Sequence, residues 1–284
     1  MRRAARIDGV AWVTLAGLLC LGAIVVSAIC AEDGGPVSSA PLARALDWQP
    51  ALGLREPWRL FSAAWVHWNL AHLAVNLAGG AVVAFVGWRA RVEPAAAWAW
   101  LAAWPLTQGA MAGLGADRVA AAMPHYGGLS GVLHAGVVVL GLTLAWPLAR
   151  GRAPTLAPAR DAPSPSRVDT VFAATRASAI EPSRITEGPW AMTEMGAVTA
   201  IPASTLDQPA AAAIAVRARP LRERWIGVAI VLGTLVKVVF EAPWDLAPRA
   251  SEALGIAVAP VAHACGIVAG GVAWGIVRVV VRRR

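Results

Sequence analysis

The sequence predicts an all-α, polytopic membrane protein, and three observations carry that prediction. Apolar residues make up 57% of the 284-residue chain and charged residues only 15%, against about 45–50% and about 25% in a soluble domain. The apolar residues gather into six blocks, each near the roughly 20 residues a helix needs to cross about 30 Å of hydrocarbon. Once those blocks are threaded in order, the basic residues fall on one side. A mean hydropathy of +0.57 agrees. A water-soluble fold is excluded, and a nucleic-acid partner with it.

The first block, 9–31, follows Met1-Arg2-Arg3. It is longer than the apolar core of a signal peptide, so it is read as a retained helix. Blocks at 66–86, 95–114, 129–148, 225–240 and 259–281 complete the set. With the N-terminus in the cytoplasm, nineteen of the 25 Lys and Arg lie on the cytoplasmic side. Only Arg44, Arg55, Arg59, Arg118 and Arg249 lie outside, and Lys237 stands within the fifth block. Basic residues favour the cytoplasmic side, so both termini are expected there. The net charge of +8 is thus a topology signal. Trp65, Trp68, Trp88, Trp146, Trp225 and Trp244 fall near block ends, as interfacial anchors do.

This organisation divides the chain into helices one to four (1–149), an insertion (150–223) and helices five and six (224–284). The insertion is rich in Pro, Ala, Ser, Thr and Arg and has no periodic apolar face. It is expected to be a disordered cytoplasmic linker. Cys20, Cys30 and Cys265 show no ligand-like spacing, so neither a disulfide framework nor a metal cluster is expected. No cofactor is expected either.

Polar side chains are costly in a bilayer and ask for a reason. All five histidines (His67, His72, His125, His134 and His263) map to outward ends of blocks or to adjoining loops. His72 and Asn76, four residues apart, share a helix face, with His67 just above them. They read either as glue between helices or as hydrogen-bond donors aimed into a cavity. The fourth block opens Gly127-Gly128-Leu129-Ser130-Gly131. Glycines around a serine permit close backbone approach and leave amides at a helix N-terminus to meet a developing oxyanion. In the sixth block Gly266 and Gly270 form a strip for another backbone, with His263 one turn before it. If the fourth helix packs there, His263 reaches Ser130, which would pair a nucleophile with its base. His134, one turn after Ser130, lies on the same face and is expected near His263.

Taken together, His67-x4-His72-x3-Asn76, Gly128-Leu129-Ser130-Gly131 and His263-x2-Gly266-x3-Gly270 resemble the rhomboid family of intramembrane serine proteases. Trp58-Arg59 is similar to the Trp-Arg element of the rhomboid first loop, and the matching motifs span residues 58–271. Gly-Leu-Ser-Gly-Val-Leu-His, ending at His134, resembles the rhombosortase subgroup; typical rhomboids often carry a tyrosine at that position, stacked on the catalytic histidine. The long insertion after the fourth helix departs from the compact family pattern.

The resemblance implies a six-helix rhomboid-like bundle with Ser130 as nucleophile and His263 as base, a dyad without a carboxylate. His72, Asn76 and the Ser130 amide would form the oxyanion hole, and His67 would shape the cavity on the first-loop side. Gly128, Gly131, Gly266 and Gly270 would support the packing. The implied substrates are exported, membrane-anchored proteins with a C-terminal Gly-Gly, an apolar helix and a basic cluster. The implied location is the inner (cytoplasmic) membrane, with the site on the outer, periplasmic side. The Gly270-Gly271 tail of this chain imitates such a signal but reads as an ordinary sixth helix, because His263 shares it. A non-catalytic, client-binding rhomboid-like protein is the alternative, and the oligomeric state stays open.

Overall fold

A computed structural model describes residues 8–32, 35–148, 220–252 and 255–283. The expected insertion lies outside them up to residue 219; residues 221–223 form the first turn of a helix. Nine α-helices stand among the described residues: α1 (Val10–Glu32), α2 (Pro41–Leu46), α3 (Arg59–Ser62), α4 (Leu70–Arg89), α5 (Pro94–Gly113), α6 (Ala116–Ala122), α7 (Ser130–Ala145), α8 (Leu221–Phe240) and α9 (Pro260–Arg283). Two short strands, β1 (Arg249–Ser251) and β2 (Ile256–Val258), pair antiparallel with Arg249 opposite Val258. Among the described residues they are the one strand pair, a departure from the all-helical reading, and they lie in the loop between α8 and α9.

Each of the six apolar blocks becomes one long helix. Three of them, α1, α4 and α9, are long and apolar enough to cross a membrane, which marks this as a membrane protein. The other three fall short for different reasons. The apolar helix α7 has only 16 residues, whereas α8 carries Arg222, Glu223, Arg224 and Lys237 within its 20. In α5, also 20 residues, several tryptophans, Pro105 and Gln108 lower the hydropathy.

Close packing rests on small residues at the crossings. On α9, a side chain at Gly266 would strike the Gly131 carbonyl oxygen of α7, and one at Gly270 would come within 2.6 Å of the Ala135 oxygen. The two backbones therefore touch, which only glycine allows. Trp100 of α5 fills the space beside Gly136 and donates to the Val132 carbonyl at 2.9 Å. Trp12 of α1 packs against Trp100, ring centroids 4.6 Å apart and planes tilted by 34°, and donates to Val83 O at 2.9 Å. Both indoles satisfy their one donor while burying a large apolar surface.

The segment between α1 and α4 braces the start of α7. Arg59 is buried and donates to the Asp47 carboxylate at 3.0 Å, to Glu56 at 2.6 Å and to the Arg44 and Asp47 carbonyls. His125 and Gln49 also reach Asp47, at 2.6 and 2.8 Å. Beside this network, Trp48 and Tyr126 exchange backbone hydrogen bonds of 2.7 and 2.8 Å. The Gly128 amide then donates to Ala63 O at 2.9 Å. Of these bonds, those of His125, Tyr126 and Gly128 hold the segment just before Ser130 directly.

Candidate active site

Ser130 is the first residue of α7. Its amide belongs to the helix's first turn, where N–H groups have no acceptor within the helix. Gly128, two residues earlier, has φ +134°, in the region that favours glycine, and a Cβ there would meet the His72 ring at 2.8 Å. The glycine thus lets His72 lie against the turn that leads into the serine.

Across the α7–α9 crossing, the Ser130 hydroxyl lies 3.1 Å from His263 Nε2. The other ring nitrogen, Nδ1, lies 2.7 Å from a carboxylate oxygen of Glu241, the residue that follows α8. A carboxylate only accepts hydrogen bonds. With Nδ1 carrying the proton, His263 donates to Glu241 and leaves its Nε2 lone pair for the serine hydroxyl. The expected pair therefore has a carboxylate partner, contrary to the dyad that the family resemblance implies.

The second oxygen of Glu241 accepts from Lys237 at 2.6 Å. Burial alone would raise the Glu241 carboxyl, but hydrogen bonds from His263 and Lys237 outweigh it and hold the group down at about 2. Lys237 also reaches His134 Nε2 at 3.1 Å, and His134 Nδ1 lies 2.7 Å from Ser130 O. Both assignments follow from valence. An ammonium has no lone pair, so Nε2 accepts; a carbonyl has no proton, so Nδ1 donates. His134 is therefore neutral in this arrangement. Its ring stacks on His263 with centroids 4.1 Å apart and planes 17° from parallel.

Four of the expected residues come together with Ser130 around one cavity of about 780 Å³: His72, Asn76, His134 and His263. Its walls are mainly apolar, and residues 256–258 of β2 close one side. Asn76 donates one amide hydrogen to His72 O at 3.0 Å, which leaves the other free of that bond. His67 sits elsewhere. Asn69 caps α4, accepting from the His72 amide at 2.8 Å, so the helix starts at Leu70 and His67 precedes it. His67 is buried behind His72, their ring centroids 4.8 Å apart, and it does not line the cavity. His125 reaches the rim but bonds to Asp47 and Arg44.

Glu241 and Lys237 are the site residues that sequence reasoning missed. A signal was present: Lys237 is an ionisable residue within an apolar block, which calls for a partner, and Glu241 lies four residues on, at helical spacing. Cys265, beside His263, is buried in the packing against Met111 and Tyr126. Among the described residues no group of His, Cys, Asp and Glu could hold a metal ion.

The fold and site define a helical membrane protein in which a serine and a histidine from crossing helices share a hydrogen bond at the edge of an apolar cavity. Family models, curated proteins and solved structures yield no match to this chain.

Proposed function

We propose that the protein is an intramembrane serine protease of the rhomboid type, similar to rhombosortases. The observation that carries this reading is the 3.1 Å contact between Ser130 Oγ and His263 Nε2, within hydrogen-bond reach for a nucleophile and its base. In this reading α1, α4, α5, α7, α8 and α9 each cross the inner membrane, both termini are cytoplasmic, and the cavity opens toward the periplasm. The substrates are exported proteins tethered by a C-terminal Gly-Gly, apolar helix and basic cluster. Small residues unwind a helix at low cost, so such a tail exposes its scissile bond, and the cavity's apolar walls suit the flanking segment.

The chemistry follows from the atoms in place. Ser130 Oγ attacks the scissile carbonyl carbon as its proton passes to His263 Nε2. Negative charge gathers on the carbonyl oxygen, next to the Ser130 amide and the side chains of His72 and Asn76, which supply donors fixed in advance. As the C–N bond breaks, His263 returns the proton to the leaving amine. Water then attacks the acyl-enzyme, giving a proton to the same nitrogen; as the acyl C–Oγ bond breaks, His263 passes that proton to Oγ and Ser130 is restored.

The test uses purified protein in detergent or liposomes, a fluorophosphonate probe and a tethered reporter with a Gly-Gly, apolar helix and arginine tail. Labelling and cleavage in the wild type, both absent in Ser130→Ala, are expected. A reporter that is bound but never cut, with no labelling, would identify a client-binding protein instead.

A further inference from the structure

We infer that Glu241 is a positioning residue for His263, making the site a Ser–His–Glu triad. The inference rests on the protease reading above and adds a residue to it.

The geometry is a closed circuit of five hydrogen bonds. Ser130 Oγ meets His263 Nε2 at 3.1 Å; His263 Nδ1 meets Glu241 at 2.7 Å; Glu241 meets Lys237 at 2.6 Å; Lys237 meets His134 at 3.1 Å; His134 returns to Ser130 O at 2.7 Å. A lysine and a glutamate four residues apart on a helix often form a simple surface pair. That account covers only one Glu241 oxygen. The other points across to α9, 22 residues further along the chain, onto the one nitrogen of His263 that does not face the serine.

The consequence is a fixed tautomer. A neutral imidazole carries its proton on either nitrogen, and only the Nδ1–H form leaves Nε2 able to take the proton of Ser130. Glu241, an acceptor, selects that form. When the Ser130 proton moves to Nε2, both His263 nitrogens carry protons, and the resulting cation faces the Glu241 anion. No proton passes to Glu241, whose charge stays put while the histidine's changes. Lys237 keeps the carboxylate ionised and oriented from its far side. The titratable or charged groups around His263 are Glu241 and Lys237 from the α8 end, His134 from α7 and His72 from α4. Glu241 is the only anion among these four.

Glu241→Gln, assayed with the tethered reporter and the fluorophosphonate, separates a positioning role from a packing role. Removing the carboxylate that orients a catalytic histidine costs as much as about 10⁴-fold in kcat. Glu241 is partly exposed, so a fall of about 10²-fold or more is expected, with KM changed by less than about threefold. The rate of Ser130 labelling should fall in parallel. Glu241→Asp keeps the charge and should recover part of the loss. Imidazole nitrogen NMR of the wild type provides a readout that needs no variant: the Nδ1–H form of His263 supports the inference and the Nε2–H form overturns it. Wild-type kcat and labelling rate in a folded Glu241→Gln protein overturn it also, while Ser130 labelling keeps the protease reading intact. A wild type that neither labels nor cuts overturns both.

Discussion

Two carboxylates in this protein each join a histidine to a cation, and their surroundings separate them. Asp47 is fully buried and bonds to Arg59, His125 and Gln49. Glu241 keeps 27% of its side chain exposed and bonds to His263 and Lys237. The Asp47 network is held by the segment between α1 and α4; its His125 reaches the cavity rim, but it touches no nucleophile. Its work is mechanical, since it fixes the Trp48–Tyr126 bridge and so the approach to Ser130. The Glu241 network borders a cavity and ends on a serine hydroxyl. A carboxylate–histidine contact alone therefore does not identify chemistry; what lies on the histidine's other nitrogen does.

The comparison can be broken most severely at the nucleophile. Ser130→Ala and His263→Ala should each abolish cleavage, a loss beyond about 10⁴-fold, with thermal stability close to wild type. Ser130→Ala removes only a hydroxyl, and His263→Ala leaves the glycine-mediated α7–α9 crossing intact. Substantial turnover in either folded variant would remove the assignment.

At the other network the expected effect is on stability. Arg59→Met leaves the Asp47 carboxylate buried without its guanidinium. Breaking a buried pair from one side costs about 3–5 kcal/mol; His125 and Gln49 remain, so the low end is expected. Chemical denaturation in detergent would read this, and activity per folded molecule should change little. A variant as stable as wild type but inactive would make the Asp47 network part of the catalytic machinery.

Much of this was legible because it depends on local spacing. The six apolar blocks mark the six long helices, and the 3.6-residue period puts Ser130 and His134 on one face of α7. Gly266 and Gly270 announce a backbone crossing, which the structure places against Gly131 and Ala135. Less legible was whatever depends on two distant segments. Glu241 meets His263 only because the chain doubles back through β1 and β2, and no periodicity reports that. His67 reads from the sequence as continuous with His72, but the Asn69 cap sets the first turn of α4 after it. Likewise Asp47 belongs to a stretch with no long apolar run, and only the folded loop brings Arg59 and His125 to it.

Between the extremes stands Asn76, which touches neither carboxylate. Losing one oxyanion donor costs about 10²–10³ in kcat. One Asn76 hydrogen is already committed to His72 O, and other donors remain. Asn76→Ala should therefore show about 10²-fold or less, in kcat. An effect confined to KM would make Asn76 a substrate-binding residue.

The smallest effect is expected at His134, which touches both ends of the Glu241 circuit without joining the proton transfer. Its stacking on His263 resists rotation of the base, and a stacked ring pair contributes about 0.5–1.5 kcal/mol beyond its buried area. His134→Ala should accordingly lose about two- to tenfold in kcat. His134→Tyr keeps a flat ring on His263 and should lie closer to wild type, although it gives up the Nδ1–H bond to Ser130 O. Bonding fixes its charge state: His134 stays neutral to accept from Lys237, and protonating it would set a second cation beside the one that forms on His263. Single-turnover kinetics of the three proteins check the order. Identical rates in the wild type and both variants would leave His134 as a packing residue, and the circuit would reduce to Ser130, His263, Glu241 and Lys237.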